Sequence, residues 1–334
     1  MKKLATEISV LVLMCFLFTS RLEAVKVSPL PAAATLPKPS TQDVLPTPLI
    51  SVPPLTAENR LKLEDGCEAA ANYSKSLLGH AVLVLRGGEI IFERYDNGWK
   101  QDLPHGLASG TKSFVGAVAA AAVEDGLMTW DELACETLTE WKDHPKKNKI
   151  TARHLLNLSS GLDPSNDLLS RPFRSKAPNL FLAAINVPSK HDAGTRFEYG
   201  PSHFYAYGEF LQRKIELRNE TDPAFKPSNF AEYMYSRVLD PIGVKVGGWG
   251  TDRERNLNLP GGARLIAREW ARFGEFIREQ GHIRDVNGER KSLIKWSTLT
   301  ECFKPSAKNP GYGLTWWLLN PASETSSATV ADGE

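Results

Sequence analysis

A chain of 334 residues, 42% of them hydrophobic, is long enough for one large domain or two small ones with a buried core. Its 40 basic and 39 acidic residues leave a formal net charge of +1. No long-range field therefore draws it to nucleic acid or to an anionic membrane, and its partners must be argued from individual sites.

The N terminus has the pattern of a secretory signal peptide over residues 1–24. Lys2 and Lys3 form a positive head, Ile8 to Phe18 an apolar run, and Leu22-Glu23-Ala24 a cleavage site. A membrane anchor is the alternative, but the apolar run falls well short of the roughly 20 residues a spanning helix needs. The expectation is export to the periplasm, cell envelope or medium, with no stable membrane insertion after cleavage. Residues 25–57 hold Pro29, Pro31, Pro37, Pro39, Pro46, Pro48, Pro53 and Pro54 among Ala, Ser and Thr, and read as an extended spacer. The folded domain is then 58–334. Beyond the leader remain Cys67, Cys135 and Cys302. One disulfide is possible among the three, with its identity open, and none has the spacing of a metal knuckle.

Structure is expected from Thr56, with a helix reaching Leu77. His80 to Tyr95 holds two β-branched apolar runs around Gly87-Gly88, which predicts a hairpin. Residues 98–106 read as loop. A helix is predicted from Ser109, with Phe114, Val115, Val118, Ala121 and Ala122 at helical spacing and a stop at Gly126. Further helices are predicted at Thr151–Leu158, Pro201–Arg218, Asn229–Leu239 and Ile266–Glu279, and a strand at Tyr312–Leu319. A hairpin, a run of helices and a returning strand suit α/β or α+β better than a parallel βαβ series. No Gly-x-Gly-x-x-Gly follows a strand, so a dinucleotide fold has no support.

Ser109-Gly-Thr-Lys112 places a serine and a lysine one helical turn apart, so the amine can reach the hydroxyl. Two readings are open: a helix cap beside a solvated lysine, or a nucleophile beside its base, near the N–H groups of a helix start. The four letters decide little, because Ser292-Leu-Ile-Lys295 matches as well. Context favours the first copy. The run after Lys112 is almost entirely Ala, Val and Gly, a helix that can be packed on every side, and a lysine in such a place is costly unless it has a task. Tyr199, at a junction between a glycine turn and a helix opening at Pro201, is the candidate proton-relay partner. Its phenol is expected to titrate low beside an ammonium, and a core or rim aromatic is the competing account. His105, His154 and His191 share no metal-ligand spacing and read as structural.

These residues resemble the serine β-lactamase and penicillin-binding-protein superfamily, in the branch holding class C β-lactamases, D-amino-acid peptidases and related esterases. Ser109-Gly-Thr-Lys112 is similar to its first motif, Ser-x-x-Lys, and Gly194-Thr-Arg-Phe-Glu-Tyr199 to the approach to its second, Tyr-x-Asn. Glu124–Asp131, Ile150–Leu162, Pro260–Gly274 and Tyr312–Trp317 resemble later landmarks in order and spacing. The resemblance implies a β-lactamase/transpeptidase-like fold, an antiparallel sheet flanked by helices with a mostly helical inserted lobe. It implies acylation of Ser109 by an ester, amide or β-lactam carbonyl, with Lys112 and Tyr199 sharing the proton and no metal or organic cofactor. The expected partner is a small ester, amide or peptide-like substrate. The alternative is a catalytically inactive cell-envelope binding protein that retains the fold. Two departures bear on this. Pro201 stands where the family has asparagine, which moves the expectation from β-lactams toward esters or small amides, with Ser202 or His203 as substitute polar groups. No Lys-Thr-Gly or His-x-Gly follows Trp317, so the resemblance implies that the closing strands are missing from the chain as given.

Overall fold

The computed structural model describes residues 56–165, 169, 179–284, 287 and 289–318. The expected signal peptide and the spacer up to residue 55 lie outside the described residues, as do Cys15 and everything from Leu319 onward.

The first helix, α1 (Ala57–Ser76), starts where Thr56 caps it, its hydroxyl accepting from the Asn59 N–H at 3.2 Å. The predicted hairpin forms from β1 (Ala81–Arg86) and β2 (Glu89–Tyr95), paired antiparallel. Its two-residue turn places both glycines at positive φ, Gly87 at 59° and Gly88 at 86°, a conformation open to glycine at little steric cost. A second antiparallel sheet has the order β3 (His105–Gly106), β5 (Ala263–Leu265), β4 (Gly248–Trp249). His105–Gly106, read as loop, is thus a short strand. It was invisible in the sequence because its partner Leu265 lies 160 residues away.

Helix α2 (Lys112–Glu124) is buried from Lys112 through Ala122, as its small-residue composition predicts. Gly116 lets the 314–316 turn approach: a Cβ there would lie 2.4 Å from Thr315 Oγ1 and 3.2 Å from the Leu314 carbonyl oxygen. The helical lobe comprises α3 (Ala152–Leu156), α4 (Leu180–Ile185), α5 (Ser202–Thr221) and α6 (Phe230–Met234), with α3, α4 and α6 all packed on α5. The helix predicted to run on to Leu239 changes at Tyr235 into a single π turn, Tyr235–Leu239. Helix α7 (Ala267–Arg278) buries Ala271, Phe273 and Phe276, and it packs with α1 against β1. β6 (His282–Arg284) and β7 (Arg290–Ser292) form an outlying hairpin that leads to α8 (Trp296–Leu299). The result is a mixed fold of antiparallel sheets and helices, the arrangement that the resemblance implies.

The predicted strand at Tyr312–Leu319 is not one over its described part. Tyr312 and Trp317 bridge to each other, and Thr315 between them has φ 72°. The N–H groups of Leu314 and Thr315 are given to the carbonyls of Cys302 and Leu156, so no ladder can form. The aromatic, β-branched composition that suggests a strand here instead fills a tight turn against α2. The disulfide left open by the sequence is absent: Cys67, Cys135 and Cys302 are all buried free thiols.

Gly208 in α5 gives a prediction on packing. A Cβ there would lie 2.6 to 2.8 Å from the ring of Phe181, which is itself buried. Gly208→Ala is therefore expected to destabilise the protein by about 1–3 kcal/mol through overpacking, reversing the gain in helix propensity that alanine ordinarily brings. Urea unfolding would show a lower midpoint; an unchanged or higher one would mean that Phe181 gives way freely.

Candidate active site

Ser109 does not cap a helix. It lies in a 3-10 turn, Ala108–Thr111, that runs into α2 without any side-chain cap bond. Ala108 before it has φ 45°, the left-handed region that non-glycine residues seldom occupy and that recurs at functional sites. Ser109 is exposed while Lys112 is only 4% exposed. The Lys112 Nζ donates to Ser109 Oγ at 2.9 Å and to the Pro260 carbonyl oxygen at 2.6 Å. No carboxylate contributes to its titration, and burial alone brings its pKa down to about 7. The second match behaves otherwise, with both Ser292 and Lys295 exposed.

Tyr199 joins this pair. The Lys112 ammonium nitrogen sits 5.0 Å from the centre of the Tyr199 ring and 5.4 Å from that of Phe204. The expectation of a low phenol pKa is overturned. Burial pushes the Tyr199 phenol up, against smaller opposing effects of the Ser109 and Trp317 side chains. At neutral pH the phenol therefore keeps its proton and can donate it.

Around Tyr199 stands an aromatic wall that sequence reasoning did not assemble. Trp317, 63% exposed, stacks on Tyr199 at 5.8 Å and 24°, and Tyr312 and Phe197 meet these rings edge-on or tilted. The dense aromatic spacing at 312–317 was the available signal. The Pro260 carbonyl was also missed as a site group, and only the Pro-Gly-Gly turn after it hinted at a close backbone approach.

Ser202 and His203 do not take the place of the missing asparagine. Ser202 Oγ donates to the Asp163 carbonyl at 2.5 Å. His203 is fully buried, with Nε2 on the Glu198 carbonyl and Nδ1 on Ser160 Oγ, both at 2.8 Å, and burial lowers its pKa to about 4. Both side chains are spent on locking the segment that leads to α5. The other histidines are likewise engaged locally: His105 bonds His80 at 2.8 Å, His154 completes the capping box with Thr151, and His191 lies 3.5 Å from Glu198. Among the described residues no group of three His, Cys, Asp or Glu could hold a metal, and no helix is long and apolar enough to cross a membrane.

The chain is 24% identical over 279 residues to acyltransferase calJ of Penicillium decumbens, covering 70% of this chain and 64% of that protein. It is 30% identical over 162 residues to lovastatin esterase of Penicillium rubens, covering 41% of this chain and 37% of that one. The chain thus spans less than two thirds of the length of either relative. A crystal structure from Bacteroides dorei DSM 17855, of a protein assigned to the β-lactamases, shares the fold with TM-score 0.62 at 20% identity over 78% of this chain and 80% of that one. The sequence profile of the β-lactamase family matches residues 64–329, which take in the serine–lysine turn, Tyr199 and the Pro260 turn alike; the chain belongs to that family.

Proposed function

We propose that the protein is an exported serine hydrolase that works through an acyl-enzyme on ester or small amide carbonyls, with Ser109 as nucleophile and Lys112 and Tyr199 as its proton partners. The observation that carries this reading is the buried Lys112 amine, 2.9 Å from an exposed serine hydroxyl and titrating at about 7. An amine of that pKa is substantially neutral at physiological pH and can accept a proton.

In the acylation step the neutral Lys112 takes the Ser109 proton as Oγ attacks the carbonyl carbon. Negative charge then grows on the carbonyl oxygen, where a backbone N–H donor would stabilise it. The protonated Tyr199 gives its proton to the departing alcohol or amine, and the Lys112 ammonium restores it. Water, deprotonated by the same groups, attacks the Ser109 ester and releases the acid. Pro201, together with the internal commitments of Ser202 and His203, leaves no amide side chain after Tyr199 for a β-lactam or peptide. This favours a simple ester, as do the esterase and acyltransferase relatives.

Treatment with a fluorophosphonate, followed by intact mass and peptide mapping, tests the proposal. One adduct is expected, on Ser109, absent from Ser109→Ala and never on Ser292. A folded protein that takes up no adduct would instead support the inactive, cell-envelope binding role. In the same mass spectrum, protein recovered from its native host should begin near Val25; an intact Met1 would sink export by signal cleavage.

A further inference from the structure

The Pro260 carbonyl that receives the Lys112 amine comes from 148 residues downstream, and the chain around it is tied down with unusual care. The Asn258 carbonyl oxygen accepts from the N–H groups of Gly262 at 2.8 Å and Gly261 at 3.3 Å, and from the Trp249 indole at 3.1 Å. The Asn258 N–H donates to Gly250 at 2.8 Å. Its side-chain Oδ1 accepts from the hydroxyl of Tyr205 at 2.9 Å. Asn258 and Tyr205 are both buried. A Cβ on Gly262 would lie 2.7 to 2.9 Å from Asn258 and Trp249, so the turn is packed shut. Tyr205 stands in the first turn of α5, six residues after Tyr199. One helix start therefore supplies both the relay phenol and the support of the turn that holds the lysine.

A carbonyl oxygen only accepts hydrogen bonds, whereas a neutral amine has two N–H groups and one lone pair. Fixing one N–H on the Pro260 oxygen restricts the directions left to the lone pair, and Ser109 Oγ lies 2.9 Å from the same nitrogen. Around Lys112 stand the Ser109 hydroxyl, the Tyr199 and Phe204 rings and this carbonyl.

We propose that Tyr205 and Asn258 are positioning residues, a brace that holds the Pro260 carbonyl on Lys112 so that the amine presents its lone pair to Ser109. Neither touches the serine; both act through the turn. The proposal rests on the reading of Ser109 and Lys112 as nucleophile and base, and its test has a readout that does not depend on activity.

The variants are Tyr205→Phe, which removes one oxygen, and Asn258→Asp, which keeps the acceptor and adds a charge. Lys112 is titrated by NMR with lysine labelled at the ε carbon, its signal assigned through Lys112→Met. In parallel, the rate of fluorophosphonate addition to Ser109 is followed against pH. A carbonyl stabilises an ammonium more than an amine, so loosening the brace in Tyr205→Phe should lower the Lys112 pKa by about half a unit or more. Labelling at plateau pH should slow about three- to tenfold, the scale expected for lost orientation. Asn258→Asp should shift the Lys112 titration upward and carry the acid limb of labelling with it. If both variants leave the Lys112 titration where it is in the unaltered protein, the brace is refuted whatever happens to the melting temperature. Absence of labelling in the unaltered protein would count against the nucleophile, and the NMR titration would then decide the brace by itself.

Discussion

Lys112→Ala is expected to slow the modification of Ser109 by a fluorophosphonate about 10³-fold, within the range ordinarily lost with a general base. In the unaltered protein the rate should rise with pH through about 7 and then level off, because the lowered lysine pKa makes the neutral, proton-accepting form dominant above that value. In the variant this limb should disappear. Lys112→Arg separates two roles: arginine keeps a positive charge and hydrogen-bond donors but cannot be deprotonated in a protein. A loss as deep as that of the alanine variant means that Lys112 removes a proton. Recovery of most of the rate in the arginine variant would mean that it acts only through its charge, and the assignment of Lys112 as base would fall.

Phe114→Ala carries the largest expected effect on stability. Phe114 is fully buried two residues after Lys112, with its ring 4.5 Å from Phe273, 5.5 Å from Trp270 and 5.8 Å from Trp249. These three come from β4 and α7, so one ring ties α2 to two elements far away in the chain. Truncation removes the transfer energy of a phenyl group and leaves a cavity that rigid indoles fill poorly, for a loss of about 3–5 kcal/mol. Chemical denaturation should show the loss as a lower midpoint at nearly unchanged slope. A loss under 1 kcal/mol would show that the aromatic cluster repacks around the gap.

What the sequence made legible was local. Ser109 and Lys112 are three residues apart, and the small-residue run behind them announced a helix buried on all sides. Gly87-Gly88 announced its turn, and Tyr199 could be placed at a helix entrance from Gly194 and Pro201. What stayed hidden depended on distant partners. The two-residue strand at His105 exists only because β5 arrives, and the Pro260 carbonyl has no side chain to advertise it. At Tyr312–Trp317 the composition pointed the wrong way: aromatic and β-branched residues favour strands, but the backbone bonds there went to Cys302 and Leu156. The Tyr199 phenol was misjudged for a related reason. Proximity to a lysine was inferred correctly, but burial acts on both groups and moves the phenol up while it brings the amine down.

The proposed nucleophile and base belong to one short segment, but other groups around the Lys112 amine come from elsewhere: the turn at Pro260 and the rings of Tyr199 and Phe204. Contacts separated by three residues form early in folding, and those separated by about 150 come late because of the loop that must close. Before such closure a solvated Lys112 would keep its ordinary ammonium, because burial is what lowers its pKa. On the proposed reading, the lowered lysine pKa, and with it the activation of the serine, arrives only with the long-range packing that buries the amine.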